Sequence, residues 1–159
     1  METNGILPAQ LQNINFGFVK LGKRSKMPFE KNWQNNPYAF EEIQLWVDQG
    51  GNYGVLGGHG NLVVIDDDTG EIGKIVQEKL PPTFIVKSSR WCHYYYICKG
   101  IKNKIVLMKD KKHYGDIISK GSQVVGAGSI HPDTGTEYEV VNDIEIAEIS
   151  QEDIFTHFA

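Results

Sequence analysis

With 159 residues, 40% of them hydrophobic, the chain has the size of one domain able to bury a core. Two cysteines, Cys92 and Cys98, are too few for a disulfide-stapled scaffold or a cysteine-built zinc site, and along one extended strand they would lie roughly 20 Å apart. A net charge of −4 argues against indiscriminate nucleic-acid binding, and neither a run of membrane length nor a charged-then-apolar leader is present, so a single domain over 1–159 in a reducing cytoplasm is expected.

Phe16, Phe18 and Leu21 mark an opening strand or loop within 14–21, and a polar loop follows through 23–33. Asn36-Pro37 predicts a helix start, with Asn36 as cap and Pro37 at the first helical position. Phe40, Ile43, Trp46 and Val47 then recur at helical spacing until Gly50-Gly51, and Trp46 is assigned to the core. Strands are predicted near 53–56 and 62–66. Ile72, Ile75, Val76 and Leu80 share one face of a helix over 71–80, which Pro81-Pro82 ends. The second half reads as strands at 83–87, 92–98, 104–108, 115–118, 122–126 and 137–142, separated by Gly, Lys-Asn and Pro-Asp-Thr-Gly turns. Ser150 and Asp153 are spaced to cap a short terminal helix carrying Ile154, Phe155 and Phe158. The fold class is therefore α+β (α/β): mixed β-sheets with packed helices, the early helices lying beside the strand over 62–66.

That strand carries the strongest chemical signal. Leu62-Val63-Val64-Ile65 is apolar throughout, as in a strand buried on both faces, and it runs into Asp66-Asp67-Asp68. Alternate residues of extended chain face the same way, so Asp66 and Asp68 point together and Asp67 points apart. Paired carboxylates at a strand end suit a hard divalent cation, although Asp-Thr-Gly after a strand is also an ordinary turn. Asp66-x-Asp68-x-Gly70 matches the front of a calcium loop, but position 77 is Gln where that loop wants an acid.

The basic residues are segregated. Thirteen of the 16 lie within 20–31 and 87–112, including Lys23, Arg24, Lys26, Lys109, Lys111 and Lys112. Such stretches are commonly solvated surface; two of them flanking a carboxylate cluster favour a polyanionic partner. His93 shares a strand face with Tyr95 and Ile97 and is suited to an anion or a metal, or to a structural role. Ser89 and Arg90 offer a hydroxyl and a guanidinium to phosphate oxygens, or form a simple polar turn. Asp116 completes a three-carboxylate site if its strand lies beside the Asp66–Asp68 pair. The Gly-rich stretch over 121–132, ending in Ser129 and His131, suits a phosphate-binding loop or a tight hairpin.

The order of these segments ties them together. Asn52-Tyr53-Gly54-Val55 with Gly57, the strand ending in Asp66-Asp67-Asp68, Ser88-Ser89-Arg90-Trp91-Cys92-His93, then Asp116-Ile117 and the stretch from Val124 to His131 closely resemble the bifunctional primase/polymerase (prim-pol) domain of the archaeo-eukaryotic primase superfamily. Lys26-x-Pro28, Trp33 and Trp46 resemble its entry region, and the resemblance spans about residues 16–142. It implies a template-dependent nucleotidyltransferase, a DNA primase or polymerase, serving replication of a plasmid, virus or similar replicon. It implies Asp66, Asp68 and Asp116 as catalytic ligands of Mg²⁺ or Mn²⁺, and His93, Ser89, Arg90, Ser129 and His131 as nucleotide contacts. The implied partners are a DNA template and primer, dNTP or rNTP, and a helicase or helical accessory domain on the same or another chain, with no membrane. Arg90 and Trp91 replace family glycines, Ser119-Lys120 replaces a Gly-and-acid region, and zinc-stem cysteines are missing. The residues alone support metal plus phosphate. A metal-dependent nuclease, or a non-catalytic nucleic-acid-binding relative, is the alternative.

Overall fold

Alternation of side chains along Leu62–Asp67 decides the architecture. Leu62 and Val64 enter one hydrophobic core, and Val63 and Ile65 enter a second on the opposite face. The computed structural model describes residues 5–158. In chain order its elements are β1 (Gly17–Leu21), α1 (Phe40–Asp48), β2 (Asn52–Leu56), β3 (Leu62–Asp67), α2 (Glu71–Lys79), β4 (Ile85–Lys87), β5 (Cys92–Ile97), β6 (Ile105–Lys109), β7 (Lys112–Ile118), β8 (Gln123–Val125), β9 (Glu139–Asn142), β10 (Ala147–Glu148) and α3 (Gln151–His157).

The strands form two sheets, and the fold is α+β. The small sheet is β1-β2-β8 and is antiparallel. The large sheet runs β6-β7-β3-β5-β4-β9, also antiparallel, with β10 added in parallel beside the end of β5. Phe18, Val55, Val125, Val64 and Tyr95 belong to the first core, which joins the two sheets. The second core covers the other face of the large sheet with Ile72 and Val76 of α2 and Ile154 of α3. Val64, Ile65 and Ile72 are fully buried, each such side chain contributing roughly 1.5–3 kcal/mol by leaving water.

The first helix departs from the expectation. It begins at Phe40, not at Asn36-Pro37. Tyr38 is extended instead: its N–H donates to Phe18 O at 2.9 Å and its carbonyl accepts from Phe18 N at 3.0 Å. The helix opens at Ala39, whose N–H donates to Glu42 Oε1. α1 packs on β1 and β2 of the small sheet, whereas α2 is the helix that packs on β3 and β7. Trp46 is half-buried at the edge of the core, its indole N–H shared between the carbonyls of Leu21 and Asn52. At the other terminus the expected cap forms: Ser150 Oγ accepts from Asp153 N–H, and Asp153 Oδ2 accepts from Ser150 N–H. Cys92 and Cys98 are both free thiols. Among the described residues no helix is long and apolar enough to cross a membrane.

Candidate active site at the mouth between the sheets

The acids stand at the C-terminal end of β3. Register across the large sheet places Asp66 directly opposite His93 of β5 on one side and opposite Asp116 of β7 on the other. Cross-strand partners lie about 5 Å apart at Cα and share a face. His93, Asp66 and Asp116 thus form one row, with His93 Nε2 at 3.3 Å from Asp66 Oδ1. Asp67 faces the other way, as alternation requires. It is buried beneath α2, where Oδ1 accepts from Thr69 and Gly70 N–H and Oδ2 accepts from Gly73 N–H. Its carboxylate caps the helix rather than joining the site.

Asp68 and Asp116 are joined through a residue that the sequence reading passes over. His113 Nδ1 lies 3.3 Å from Asp68 Oδ2, and its Nε2 lies 3.1 Å from Asp116 Oδ1. Strict alternation would put His113 and Asp116 on opposite faces of β7. A β-bulge overturns this: Leu107 of β6 pairs with Gly115, and Met108 then pairs with His113, passing over Tyr114. The signal available in sequence was Gly115 in the interior of a strand, a common mark of a bulge. The hydrogen bond to Asp116 raises the His113 pKa, with the charges of Asp116 and Asp68 adding to it. The Asp68 carboxyl is raised by partial burial and by the negative charge of Asp66, then of Asp116 and Asp67, while His113 opposes the rise.

A cleft of about 340 Å³ opens beside this row, between β3 and β5 on one wall and β8 on the other. Asp66, Asp68, His93, Ser89, Arg90, His131 and Lys26 all line it. Asp116 and His113 lie on the outer side of Asp66, beyond that lining. Ser89 and Arg90 sit in the turn between β4 and β5, closed by Ser88, whose N–H and hydroxyl both donate to Trp91 O. The Arg90 guanidinium lies over the Trp91 ring, and that ring occupies the space a Cβ on Gly70 would need at the start of α2. The side chains at 90 and 91 therefore brace the turn against α2.

His131 is buried and stacks on Tyr138 with ring centroids 5.8 Å apart, and Tyr138 lies 6.2 Å from His93. Its Nδ1 accepts from the N–H groups of Asp133 and Thr134, leaving Nε2 for other contacts. Burial, then the charges of Asp66 and Asp133, pushes the Tyr138 phenol up to about 12, so it stays neutral beside the acids. A larger groove of about 870 Å³, lined by Phe16, Pro82, Ile144 and Ile146, gathers only Glu145 and Glu148 as ionisable groups and offers no comparable chemistry.

Comparison with protein families adds an independent finding. Residues 9–152 match the family described as bifunctional DNA primase/polymerase, N-terminal. The chain belongs to this family. Comparison with curated proteins finds no match. In this primase/polymerase domain Ser129 is not brought to the cleft: it is fully buried, and its hydroxyl accepts from Tyr53 N–H at 3.1 Å. Lys26 reaches the cleft, while Lys23 and Arg24 are exposed on the same loop. Lys109 pairs with Glu71 at 3.4 Å, and Lys111 and Lys112 lie at the tip of the β6–β7 hairpin. Asp110 and Lys111 both have positive φ there, the geometry of a two-residue hairpin turn.

Proposed function

We propose that this domain is a template-dependent nucleotidyltransferase that extends a DNA primer with divalent metal. The observation that carries the reading is the row His93–Asp66–Asp116, laid across three adjacent strands beside a cleft rimmed by Ser89 and Arg90. One ligand atom each from Asp68, His113 and Asp116 lies within 4.8 Å of the others, and Asp66 stands opposite Asp116. Hard carboxylate oxygens with one imidazole fit Mg²⁺ or Mn²⁺. When bound, such an ion neutralises triphosphate charge and lowers the pKa of a primer hydroxyl.

The chain's own groups supply the rest. Asp68, His113 and Asp116 would hold such an ion, with Asp66, engaged by His93, on the neighbouring strand beside them. His93, braced by Asp66 and flanked by Tyr138, lines the cleft. Arg90 and Ser89 offer donors to the γ- and β-phosphates of a dNTP or rNTP. Lysines of the 20–31 loop and of the β6–β7 hairpin attract the template and primer backbone, which makes binding salt-dependent. Replication of a small replicon, with a helicase or helical accessory partner, is the setting this activity serves.

Primer extension tests the reading. A labelled primer–template with Mg²⁺ or Mn²⁺ and each nucleotide type is expected to lengthen. Asp66→Asn is expected to reduce incorporation on the order of 100-fold or more. His93→Ala is expected to raise the nucleotide KM while template binding persists. Absence of extension under every metal and nucleotide, or equal extension by Asp66→Asn, overturns the proposal.

A further inference from the structure

The loop over 22–31 carries two large apolar side chains into water. Met27 is 70% exposed and Phe29 is 58% exposed. Single exposed apolar residues are ordinary; what sets this pair apart is how the loop holds them. The backbone returns to β1 through a bridge between Leu21 and Pro28. Ser25 O accepts from Asn52 Nδ2, Lys26 O accepts from Gln123 Nε2, and Met27 N–H donates to Ser25 Oγ. Phe29 leans one side of its ring on Trp46, with centroids 5.7 Å apart. The loop is thus tied to all three strands of the small sheet, and Phe29 is presented rather than buried. Preorganisation of this kind lowers the ordering cost of binding.

Charge identifies the occupant. Lys20, Lys23, Arg24, Lys26 and Lys31 flank the pair along the chain, with Lys20 lying over the Tyr38 and Trp46 rings, and the one acid in the stretch, Glu30, is committed to the Tyr38 hydroxyl through both oxygens at 2.9 Å. A cationic loop with an exposed ring suits a strand whose bases are unpaired, because the phosphates take the lysines and a base face takes the ring. A closed duplex offers no free base face. Lys26 also lines the cleft that holds Asp66, so a strand on this loop leads toward the acids.

We infer that Met27 and Phe29 form a base-stacking platform for single-stranded nucleic acid at the entrance to the cleft. The inference shares with the proposed function only its nucleic-acid partner, and it concerns the unpaired strand rather than the chemistry.

Binding of fluorescent single-stranded oligothymidylate at one fixed salt concentration, without metal or nucleotide, tests it. An abasic strand of equal length serves as the comparison. The wild-type chain is expected to bind the base-bearing strand more tightly, and Phe29→Ala to weaken that binding roughly 5- to 100-fold while leaving the abasic strand unchanged. Phe29→Trp, which keeps a stacking face, is expected to restore affinity, and thermal melting checks that each variant is folded. Equal binding of both strands by the wild type, an equal loss on both in Phe29→Ala, or undiminished preference for the base-bearing strand in that variant overturns the platform. So does equally tight binding of a blunt duplex. A chain inactive in primer extension can still pass this assay, and an active one can still fail it, so the two proposals fall separately.

Discussion

His113 Nε2 sits 3.1 Å from Asp116 Oδ1 although three positions separate the two residues along one β-strand. In a regular strand an odd spacing sends side chains to opposite faces. The bulge between Met108 and Leu107 pairing absorbs Tyr114 and turns His113 back toward the acids. Tyr114 is then free to enter the core beneath α2 with Ile72 and Ile117. One irregularity thus serves packing on one face and the candidate site on the other.

The nitrogen that the bulge delivers predicts a metal preference. Imidazole suits Mn²⁺ better than Mg²⁺, which favours oxygen and water. His113→Ala should weaken Mn²⁺ binding roughly 10- to 100-fold, a range that even outer-shell partners of a metal site command. Mg²⁺ affinity should change much less. Calorimetric titration of both ions into both proteins checks this, and parallel losses for the two ions would count against His113 as a ligand.

Neighbouring aspartates should differ sharply in their effect on stability. Asp67 is buried and accepts three backbone N–H groups at the start of α2. Asp67→Ala should cost about 1–2 kcal/mol, as loss of a helix cap does. Asp66→Asn should cost little or even stabilise the metal-free chain, because the negative charge of Asp66 is one cause of the raised Asp68 carboxyl. Urea denaturation of the two variants gives the comparison. A larger loss for Asp66→Asn would mean that its carboxylate, through His93, holds the sheet together.

The legible parts of the sequence were those governed by local periodicity. Leu62–Asp67 announced a doubly buried strand, and alternation alone separates Asp66 from Asp67. Ser150 and Asp153 announced their own helix cap. Non-local pairing hid the rest. Asn36-Pro37 has the chemistry of a helix start, yet Tyr38 is claimed by Phe18 across the chain. Ser129 lies in a stretch that resembles a phosphate loop, but Tyr53 takes its hydroxyl from 76 positions away. His113 was invisible because a bulge breaks the very period used to read faces. Family order brought Asp116 beside Asp66, which no local pattern in either strand demanded.

The terminal helix should loosen in acid. Asp153 is held below its ordinary carboxyl pKa by the backbone hydrogen bond from Ser150 and by the Ser150 side chain. A depressed folded pKa contributes stability that is present above the unfolded value and lost as pH falls through the folded one. Thermal stability should therefore fall as pH drops below the ordinary aspartate range, by an amount that Asp153→Asn removes from the profile. Ser150→Ala should cost about 1 kcal/mol at neutral pH. An acid limb unchanged in Asp153→Asn would assign it to other carboxylates.

Gly115 is where the packing of α2 and the geometry of the candidate site meet. A Cβ at this position would overlap Ile72 Cδ1 and the carbonyl oxygen of Asp66. Ile72 is fully buried and has little room to turn, and a backbone carbonyl in a paired strand has less. Gly115→Ala must therefore push β7 away from β3 or shift the bulge, and overpacking of this kind typically costs 1–3 kcal/mol. Either movement displaces Asp116 and His113 from Asp66 and Asp68, so Mn²⁺ affinity should fall together with the melting temperature. Ile72→Val in the same chain relieves only one of the two overlaps. The double variant should recover part of the stability while metal affinity stays low, because the Asp66 carbonyl still opposes the new methyl. Full recovery of both would show that the Ile72 side chain alone was the obstacle. A Gly115→Ala chain as stable as wild type, with unchanged Mn²⁺ binding, would show that β7 can accommodate a side chain here without moving the acids.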